Sequence, residues 1–308
     1  MAPRHEGISG TTGPPTSGRV GCPARGRAGR VAAVLLAGAV LWSCSEDSAA
    51  PTPTAERATA PASATATAGG QGSAPPASDA GSGAAHFATL PPGSTLPSDE
   101  ECKARVRPAK ENRDGNAKFN QTVGGPTAPN PPYFELAERV TGNFTGTTDE
   151  IIQWTACKWG VDEDVVRAQI AKESWWHQDA AGDFSSDPST CAPNHPIGAD
   201  GKDGQCPESI GLGQVRAPFY KDYIDHAVAS SAYNLDVTYG IWRSCFEGNE
   251  TWLNDVEHGQ PYAAGDLWGC VGRWFAGRWY TQPALDYVAA VQDYLKQEVW
   301  TTKDFAKG

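Results

Sequence analysis

The sequence predicts an all-α or mostly α domain in its C-terminal part, and three observations favour that fold class. Thr147-x-x-Glu150 is a capping box that opens a helix, and Gly160 is placed to end it. Further along, Val166 and Ile170 fall on one face at about 100° per residue, which is helical periodicity. No convincing run of alternating polar and apolar residues indicates β-strands.

The elements expected in chain order are helices joined by polar loops. Residues 102–130 are charged and contain Gly and Pro, so they are expected to be irregular. Asp162 can cap the helix that carries Glu173, and Pro283 lies in the first turn of the last expected helix. In order, the expected segments are a short helix at Tyr133–Val140, helices at Ile151–Trp159 and Val165–Trp176, a short helix or turn at Ser209–Val215, and helices at Tyr220–Ala229, Ala232–Phe246, Ala263–Phe275 and Pro283–Val299.

Residues 1–43 are typical of a bacterial export signal. Five Arg precede an apolar run of 13 residues that ends at Ser43. A helix that spans a bilayer needs ~20 apolar residues, so this run is too short. Leu41-Trp42-Ser43-Cys44 resembles a lipobox, although Trp42 stands where a small residue is usual. We expect Cys44 to be lipidated and to become the N-terminus; the alternative is a plain secretory signal with Cys44 left free.

Residues 44–100 are expected to form a lipidated, disordered linker rich in Ala, Pro, Thr and Ser. Such a segment has too few large apolar side chains to offset the entropy of ordering the chain. It can act as a tether that carries residues 101–308 away from the membrane, or it can be an unselected spacer. Residues 101–308 are long enough for one domain with a single core.

The cysteines predict three disulfides. Setting aside Cys22, in the signal, and Cys44, six of the eight remain. An even number in an exported chain favours disulfides, although sequence alone allows 15 pairings. Proximity favours Cys191–Cys206, Cys245–Cys270 and Cys102–Cys157. No spacing indicates a metal site, and no cofactor is expected.

Glu173 is the candidate for chemistry that the residues themselves indicate. It lies on the same helical stripe as Val166 and Ile170, and a carboxylate on an apolar face is costly unless paired or neutral. Burial should raise its pKa, and a carboxylic acid that stays protonated near neutral pH can act as a general acid. The alternative is a glutamate at the edge of the stripe that reaches solvent or a buried Arg.

Three motifs, in this order, resemble the soluble lytic transglycosylases and the related goose-type lysozymes. They are Glu173-Ser174, the stretch Ser209-Ile210-Gly211-Leu212-Gly213-Gln214, and Asn234 to Gly240. The resemblance covers about residues 130–300 and implies a lysozyme-like fold acting on peptidoglycan glycan strands. Compared with the family, the chain has an insertion, Phe184–Pro207, whose expected disulfide would rigidify a loop beside the cleft.

The resemblance also implies a mechanism in which Glu173 alone does the acid and base work. Glu173 would protonate the glycosidic oxygen between N-acetylmuramic acid and N-acetylglucosamine, then deprotonate the C6 hydroxyl that attacks C1. The product would carry a 1,6-anhydro ring. Ser174 and Gln214 are expected to bind substrate beside the acid. Trp176 and Trp274 are the expected platforms for sugar stacking, since Trp packs well on the apolar faces of sugars.

Three further interpretations stay open. A hydrolytic muramidase would need a second carboxylate, for which Glu208 is the preferred candidate among the acids between the motifs. The others are Asp183, Asp187, Asp200 and Asp203. A non-catalytic wall-binding lipoprotein would keep the fold without activity; a chitinase-like enzyme is a weaker possibility.

The chain departs from the family at its last motif. Where the family has Ala-Tyr-Asn-x-Gly, Trp274 replaces the Tyr and Phe275 the Asn, and Gly213 stands where the earlier motif has Met. A Trp cannot supply the phenolic hydroxyl that helps to orient the acid. Either Tyr280, Tyr239 or Tyr233 supplies this hydroxyl from elsewhere in the chain, or the site works in a different way.

The charge of the chain excludes nucleic acid as a partner. Residues 1–43 hold five Arg and one Glu, which leaves 20 basic and 35 acidic residues and a net charge of −15. The same charge will not draw the domain onto anionic wall polymers. Binding of peptidoglycan is thus expected to depend on local sugar contacts. The protein is expected to be an exported monomer, bound to the membrane only through its N-terminal lipid.

Overall fold

The structure is a computed structural model that describes residues 85–123, 134–255 and 260–307. The expected signal, the lipidation site Cys44 and residues 44–84 of the expected linker lie outside the described residues. No helix in the described ranges is long and apolar enough to cross a membrane.

Seven α-helices and a small three-stranded sheet make up the described part of the chain, which is therefore helix-rich, in agreement with the predicted mostly α class. The helices are α1 (Asp99–Lys103), α2 (Thr148–Trp159), α3 (Glu163–Ser174), α4 (Lys221–Ala229), α5 (Ser231–Phe246), α6 (Leu267–Ala276) and α7 (Gln282–Gln297), and the strands are β1 (Ala181–Ser185), β2 (Cys206–Ile210) and β3 (Val215–Arg216).

The start signals predicted for α2 and α3 and the end signal predicted for α2 are confirmed, whereas α3 ends at Ser174, before its predicted end at Trp176. The Thr147 hydroxyl accepts from the Glu150 N–H while the Glu150 carboxylate accepts from the Thr147 N–H, so both halves of the capping box form. Gly160 ends α2 with a φ of 58°, a left-handed conformation that glycine adopts at low cost. Asp162 then caps α3 by accepting two backbone N–H bonds.

The sheet was not predicted from the sequence. β2 pairs antiparallel with both β1 and β3, with Ala181 opposite Ile210 and Ser209 opposite Arg216. Of the helix or turn predicted at Ser209–Val215, residues 211–214 form a turn, whereas Ser209 and Ile210 belong to β2 and Val215 begins β3. Every residue of β2 is buried, so the strand shows no alternation of polar and apolar residues for a pattern search to find.

Two helix predictions need correction at their ends. The short helix predicted at Tyr133–Val140 is, within the described residues, a 3-10 helix at Ala137–Arg139. The helix predicted from Ala263 begins at Leu267, because the side chain of Asp266 caps it by accepting the Gly269 N–H at 2.8 Å.

Residues 85–98, the end of the predicted disordered linker, instead pack on the helical domain. Phe87 is buried, and the Leu90 N–H donates to the Gly160 carbonyl at 3.0 Å. The guanidinium of Arg243 donates to the carbonyls of Leu90 and Pro91 at 2.9 Å each. These contacts satisfy the backbone of a segment whose composition resembles the linker, so composition alone misplaced the linker boundary at residue 100.

Helix α5 is the centre of the core, since all of its residues are buried. Helices α2, α4 and α6 pack on α5, and α7 packs on both α3 and α6. The three disulfides join Cys102 to Cys157, Cys191 to Cys206 and Cys245 to Cys270, so the predicted pairing is confirmed.

A buried charge network ties α1, α2 and α5 together. The ammonium of Lys158 lies 2.8 Å from a carboxylate oxygen of Asp99 and 2.8 Å from one of Asp236. Asp236 also accepts the Trp159 indole N–H at 2.7 Å and the backbone N–H groups of Thr141 and Gly142 at 2.7 and 2.8 Å. Asp236 is fully buried, and four donors satisfy its carboxylate.

Candidate active site

The end of α3 places Glu173 at a cavity. Trp175 and Trp176 follow with φ of 54° and 62°, a left-handed conformation that costs bulky residues roughly 1–2 kcal/mol each. Arg113 donates to the Trp175 carbonyl at 3.0 Å, and Asn116 donates to the Trp176 carbonyl at 2.8 Å. These bonds hold the chain in its turn and so fix where the last turn of α3 ends.

The cavity has a volume of about 710 Å³ and is bounded by the end of α3, the sheet, α6 and α7. Polar and charged groups and several aromatic rings line it. The lining residues are Lys172, Glu173, Gly182, Asp183, Ser209, Gln214, Arg216, Phe219, Tyr220, Trp252, Arg273, Trp274, Phe275, Ala276, Gly277 and Tyr287.

Glu173 combines partial exposure to the cavity with a crowded carboxyl group. Its one hydrogen-bond donor among the described residues is the hydroxyl of Tyr287. Burial raises its pKa to about 7 and Asp183 adds to the increase, whereas the Tyr287 hydrogen bond and the charge of Lys172 act in the opposite direction. Glu173 is therefore about half protonated near neutral pH, as the raised pKa predicted from the sequence requires.

Tyr287, on α7, supplies the phenolic hydroxyl, and the sequence did not indicate it. Gln169, one turn before Glu173, hydrogen-bonds Tyr287 and accepts the hydroxyl of Tyr239 at 3.0 Å. Phe275 stacks on the ring of Tyr287, with the two ring centroids 4.6 Å apart and the ring planes 1° from parallel. The phenol is thus held by an amide on one side and by an aromatic ring on its face.

The three tyrosines that the sequence suggested do not contact Glu173 directly. Tyr239 donates its hydroxyl to Gln169, and the charge of Glu173 helps to raise the pKa of Tyr239, but no hydrogen bond among the described residues joins Tyr239 to the acid. Tyr280 donates its hydroxyl to Asp266 at 2.7 Å, and Tyr233 is buried beside His226. The phenolic hydroxyl beside Glu173 therefore comes from none of the three predicted candidates but from Tyr287, on the last helix.

Gln214 lies in the cavity wall, as predicted. Its φ is 54°, and its side-chain amide donates to the carbonyls of Gly211 and Ala180 at 2.9 and 3.2 Å. A Cβ at Gly182 would lie 2.5 Å from the Gln214 amide oxygen, so only glycine leaves room for this orientation. The amide is consequently fixed in place before any ligand arrives.

Ser174 and Trp176, both predicted to bind substrate, do not line the cavity. Ser174 is buried and donates its hydroxyl to the Leu212 carbonyl at 2.9 Å, which fastens α3 to the turn before Gln214. One residue beyond Glu173 is a rotation of about 100°, which turns Ser174 toward the interior. Trp176 is 1% exposed and donates its indole N–H to the Arg167 carbonyl at 3.0 Å.

Trp274 does line the cavity, as predicted, and is fixed by a hydrogen bond from its indole N–H to the Gly213 carbonyl at 3.0 Å. Its ring stacks on Tyr220. Three further rings at the cavity are exposed: Phe219, Phe275 and Trp252, by 60%, 55% and 44%. Exposed aromatic rings are costly in water, so their gathering around one cavity indicates a binding surface.

The predicted second carboxylate, Glu208, is not among the cavity residues. It pairs with Arg216 at 2.6 Å. Burial acts to raise its pKa, but hydrogen bonds from Arg216 and from the Thr190 and Ser185 side chains outweigh burial and lower it. The acid that accompanies Glu173 in the cavity is Asp183, which accepts the Ser209 hydroxyl at 2.6 Å.

The other loop acids also lie outside the cavity lining. Asp187 accepts hydrogen bonds from Ser189, and Asp200 pairs with His195. Asp203 is exposed. The loop that holds Cys191 joins β1 to β2, which begins at Cys206, and it is the strands, through Gly182, Asp183 and Ser209, that line the cavity.

One group of side chains could approach a metal ion. The ligand atoms of His86, Asp162 and Asp164 lie within 4.8 Å of one another. His86 already pairs with Asp162 at 3.0 Å, and Asp164 pairs with Arg167 at 2.6 Å. These contacts account for the cluster as a link between the N-terminal segment and the start of α3.

We compared the chain with protein-family models, with curated proteins and with solved structures, and none of the three gave a match. The arrangement described above is an acid of raised pKa, held by a phenol in a cavity with exposed aromatic rings.

Proposed function

We propose that this chain is a peptidoglycan lytic transglycosylase with a lysozyme-like fold and that Glu173 is its acid and base. The observation that carries the proposal is Glu173 itself: its pKa is raised to about 7, and it opens onto a cavity with exposed aromatic rings. A group with a pKa near the working pH is suited to give up a proton and take one back. The helix-rich architecture is compatible with the fold.

In the first step, the Glu173 carboxyl donates its proton to the glycosidic oxygen as the bond from that oxygen to C1 breaks. The N-acetyl carbonyl oxygen of the muramoyl sugar stabilises the positive charge at C1. In the second step, the Glu173 carboxylate accepts the proton of the C6 hydroxyl, and the C6 oxygen bonds to C1. Glu173 ends protonated again, and no water is consumed.

Tyr287 positions the acid for both steps. Its hydroxyl donates to Oε1 of Glu173, which leaves Oε2 to carry the transferred proton. The hydrogen bond favours the charged form of the acid and so offsets part of the effect of burial. Tyr287 thus keeps the pKa of Glu173 low enough for the acid to lose its proton in the first step.

Sugar binding is assigned to the rings and to Gln214. Trp274 offers a fixed ring, and Phe219, Phe275 and Trp252 offer exposed ones against which pyranose faces can pack. The immobile amide of Gln214 is placed to hydrogen-bond a sugar substituent. Such contacts suit a chain whose overall negative charge does not attract its polymer.

A hydrolytic muramidase is the second candidate, and Asp183 favours it. Asp183 shares the cavity with Glu173, raises the pKa of Glu173 by its charge and is held by Ser209. A second carboxylate in the cavity could take a proton from a water that attacks C1, which would give a reducing end. Asp183 replaces Glu208 as the residue to test for this role.

Export is proposed on the six paired cysteines, since structural disulfides form in oxidising compartments. Attachment through a lipid on Cys44 is proposed from the sequence motif alone. Peptidoglycan lies in the space into which such a protein would be exported, so location and activity agree.

The deciding experiment is digestion of purified peptidoglycan by the full chain, produced in an oxidising compartment, with products identified by mass. Anhydro-muropeptides that are missing with Glu173→Gln would support the transglycosylase. Reducing-end products that disappear with Asp183→Asn would support the hydrolase instead. Retained binding without any product would leave a wall-binding module built on this fold.

A further inference from the structure

Three cationic side chains line the cavity, and their partners differ. Arg216 pairs with Glu208 at 2.6 Å, and Arg273 holds Glu250 through two nitrogens at 2.5 and 2.7 Å. Lys172 is exposed and lines the same cavity, but the described residues give its ammonium no hydrogen bond and no ion pair. The charge of Lys172 acts on the nearby Glu173, but no ion pair among the described residues holds its ammonium, which is therefore available to a ligand.

The position of Lys172 in its helix does not account for this placement. A lysine in the last turn of a helix is modestly stabilised by the helix dipole. Lys296 has that position on α7, is exposed and does not line the cavity. Lys172 has the same position on α3, yet it is directed into the cavity beside the acid. The helix dipole is common to both lysines, so what distinguishes Lys172 is its place in the cavity lining.

The charges of the cavity show what a ligand would meet there. Glu173 and Asp183 line it as acids, while Arg216 and Arg273 are each matched by an acid. A ligand carboxylate entering such a cavity would be repelled by its acids unless a free cation stood nearby. Lys172 is that cation.

We propose that Lys172 forms a carboxylate subsite for the acidic substituent of the glycan. The carboxylate is either the lactyl group of N-acetylmuramic acid or a group on the peptide attached to it. The inference rests on the proposed function and deepens it, since it names the feature that separates peptidoglycan from neutral polymers of N-acetylglucosamine. An exposed lysine contact is modest in strength, so its loss should weaken binding about three- to tenfold.

Binding is measured on the Glu173→Gln background, so that no substrate is cleaved during the titration. Three ligands of equal length are compared: a neutral chitin oligomer, a peptide-free peptidoglycan glycan with lactyl carboxylates, and a glycan that keeps its peptides. Lys172→Gln should weaken binding of one or both acidic ligands and leave the chitin oligomer unchanged. Lys172→Arg should restore binding, and Lys296→Gln, the matched control, should have no effect.

Salt provides an independent measurement. Raising the ionic strength from about 0.01 M to about 0.5 M should weaken the binding of acidic ligands to the chain that has Lys172. It should have little effect on their binding to the Lys172→Gln variant. If Lys172→Gln weakens binding of the peptide-free glycan, the carboxylate bound by Lys172 is the lactyl group. If it weakens binding of the peptide-bearing glycan alone, that carboxylate belongs to the peptide.

Two results would overturn the subsite. One is an equal change for the neutral and acidic ligands, which would mean that Lys172 acts on Glu173 or on the helix. The other is no change for any ligand. Binding without cleavage in the wild type would refute the enzyme proposal while leaving the subsite intact, and absence of all glycan binding would refute both.

Discussion

Asp236 and Glu173 are two carboxylates placed among the helices of one domain, and their surroundings differ sharply. Asp236 receives a lysine ammonium, an indole N–H and two backbone N–H groups, all within 2.8 Å. Glu173 receives the hydroxyl of Tyr287 alone among the described residues.

The difference shows how one chemical group serves two purposes. An acid with enough donors stays charged and becomes part of the framework, because its partners replace the water it has lost. An acid with too few donors meets the cost of burial by taking up a proton, and that proton is available to a substrate. Counting donors thus separates the structural carboxylate from the candidate catalytic one.

The largest expected effect is the loss of activity when Glu173, the acid with one hydrogen-bond donor among the described residues, is replaced. Glu173→Gln should lower the rate of peptidoglycan cleavage by about 10²- to 10⁴-fold, because the general acid is lost. Its urea midpoint should stay equal to that of the wild type or rise slightly, since no ion pair is broken. A variant that unfolds instead would show that Glu173 belongs with Asp236 as a structural group.

The next largest expected effect is the loss of stability when Asp236, the acid with four donors, is replaced. Asp236→Asn should lower the free energy of unfolding by about 3–5 kcal/mol, because it removes one partner from a buried ion pair. Urea denaturation without reductant measures it. Lys158 also pairs with Asp99 at 2.8 Å, so the double variant with Lys158→Met should lose less than the sum of the two single losses, as residues of one network do. A loss below about 1 kcal/mol would contradict the assignment of Asp236 to the framework.

The pH dependence of stability should show the proton on Glu173. Folding raises its pKa from 4.5 to about 7, so between these values the folded chain binds more protons than the unfolded one. The free energy of unfolding should therefore fall as pH rises from 4.5 through 7. The upper limit of this fall is about 3 kcal/mol, and screening by the solvent that reaches the carboxyl makes the expected fall smaller.

Glu173→Gln should lack this fall, so the difference between the two chains isolates it from other acids. Urea midpoints measured for both from pH 4 to pH 8 give that difference. A constant difference across the range would mean that the pKa of Glu173 is ordinary.

The smallest effect comes from removing the one donor that Glu173 has. Tyr287→Phe should lower activity about tenfold, as loss of one hydrogen bond to a charged group predicts. It should also raise the pKa of Glu173, so the fall in activity on the alkaline side moves to higher pH. Tyr294→Phe, on the same helix, is the control. An unmoved pH profile would remove Tyr287 from the positioning of the acid.

The sequence predicted those features of the structure that a short stretch of residues determines. The capping box at Thr147, the stop at Gly160 and the cap at Asp162 are each decided within a few residues. The disulfides follow from sequence proximity and from the parity of six cysteines. Glu173 could be singled out because its helical stripe is otherwise apolar.

The remaining features depend on contacts between distant segments. Tyr287 lies 114 residues from Glu173, and only the packing of α7 on α3 brings them together. Glu208 and Asp183 look alike in the sequence, and only the fold shows that Asp183 lines the cavity while Glu208 does not; Arg216 lies 2.6 Å from Glu208 and 3.9 Å from Asp183. Ser174 and Trp176 followed the motif but rotate into the core, because a motif records adjacency along the chain and not direction.

The separation of Glu173 from Tyr287 also has a consequence for the order in which the chain is made. Translation proceeds from the N-terminus, so the ribosome adds the acid 114 residues before its phenol. The last cysteine of the three disulfides, Cys270, precedes Tyr287 as well. Oxidation can thus finish on a chain whose acid still lacks its hydrogen-bond donor, and a product terminated between Cys270 and Tyr287 could form all three disulfides while Glu173 lacked the phenol.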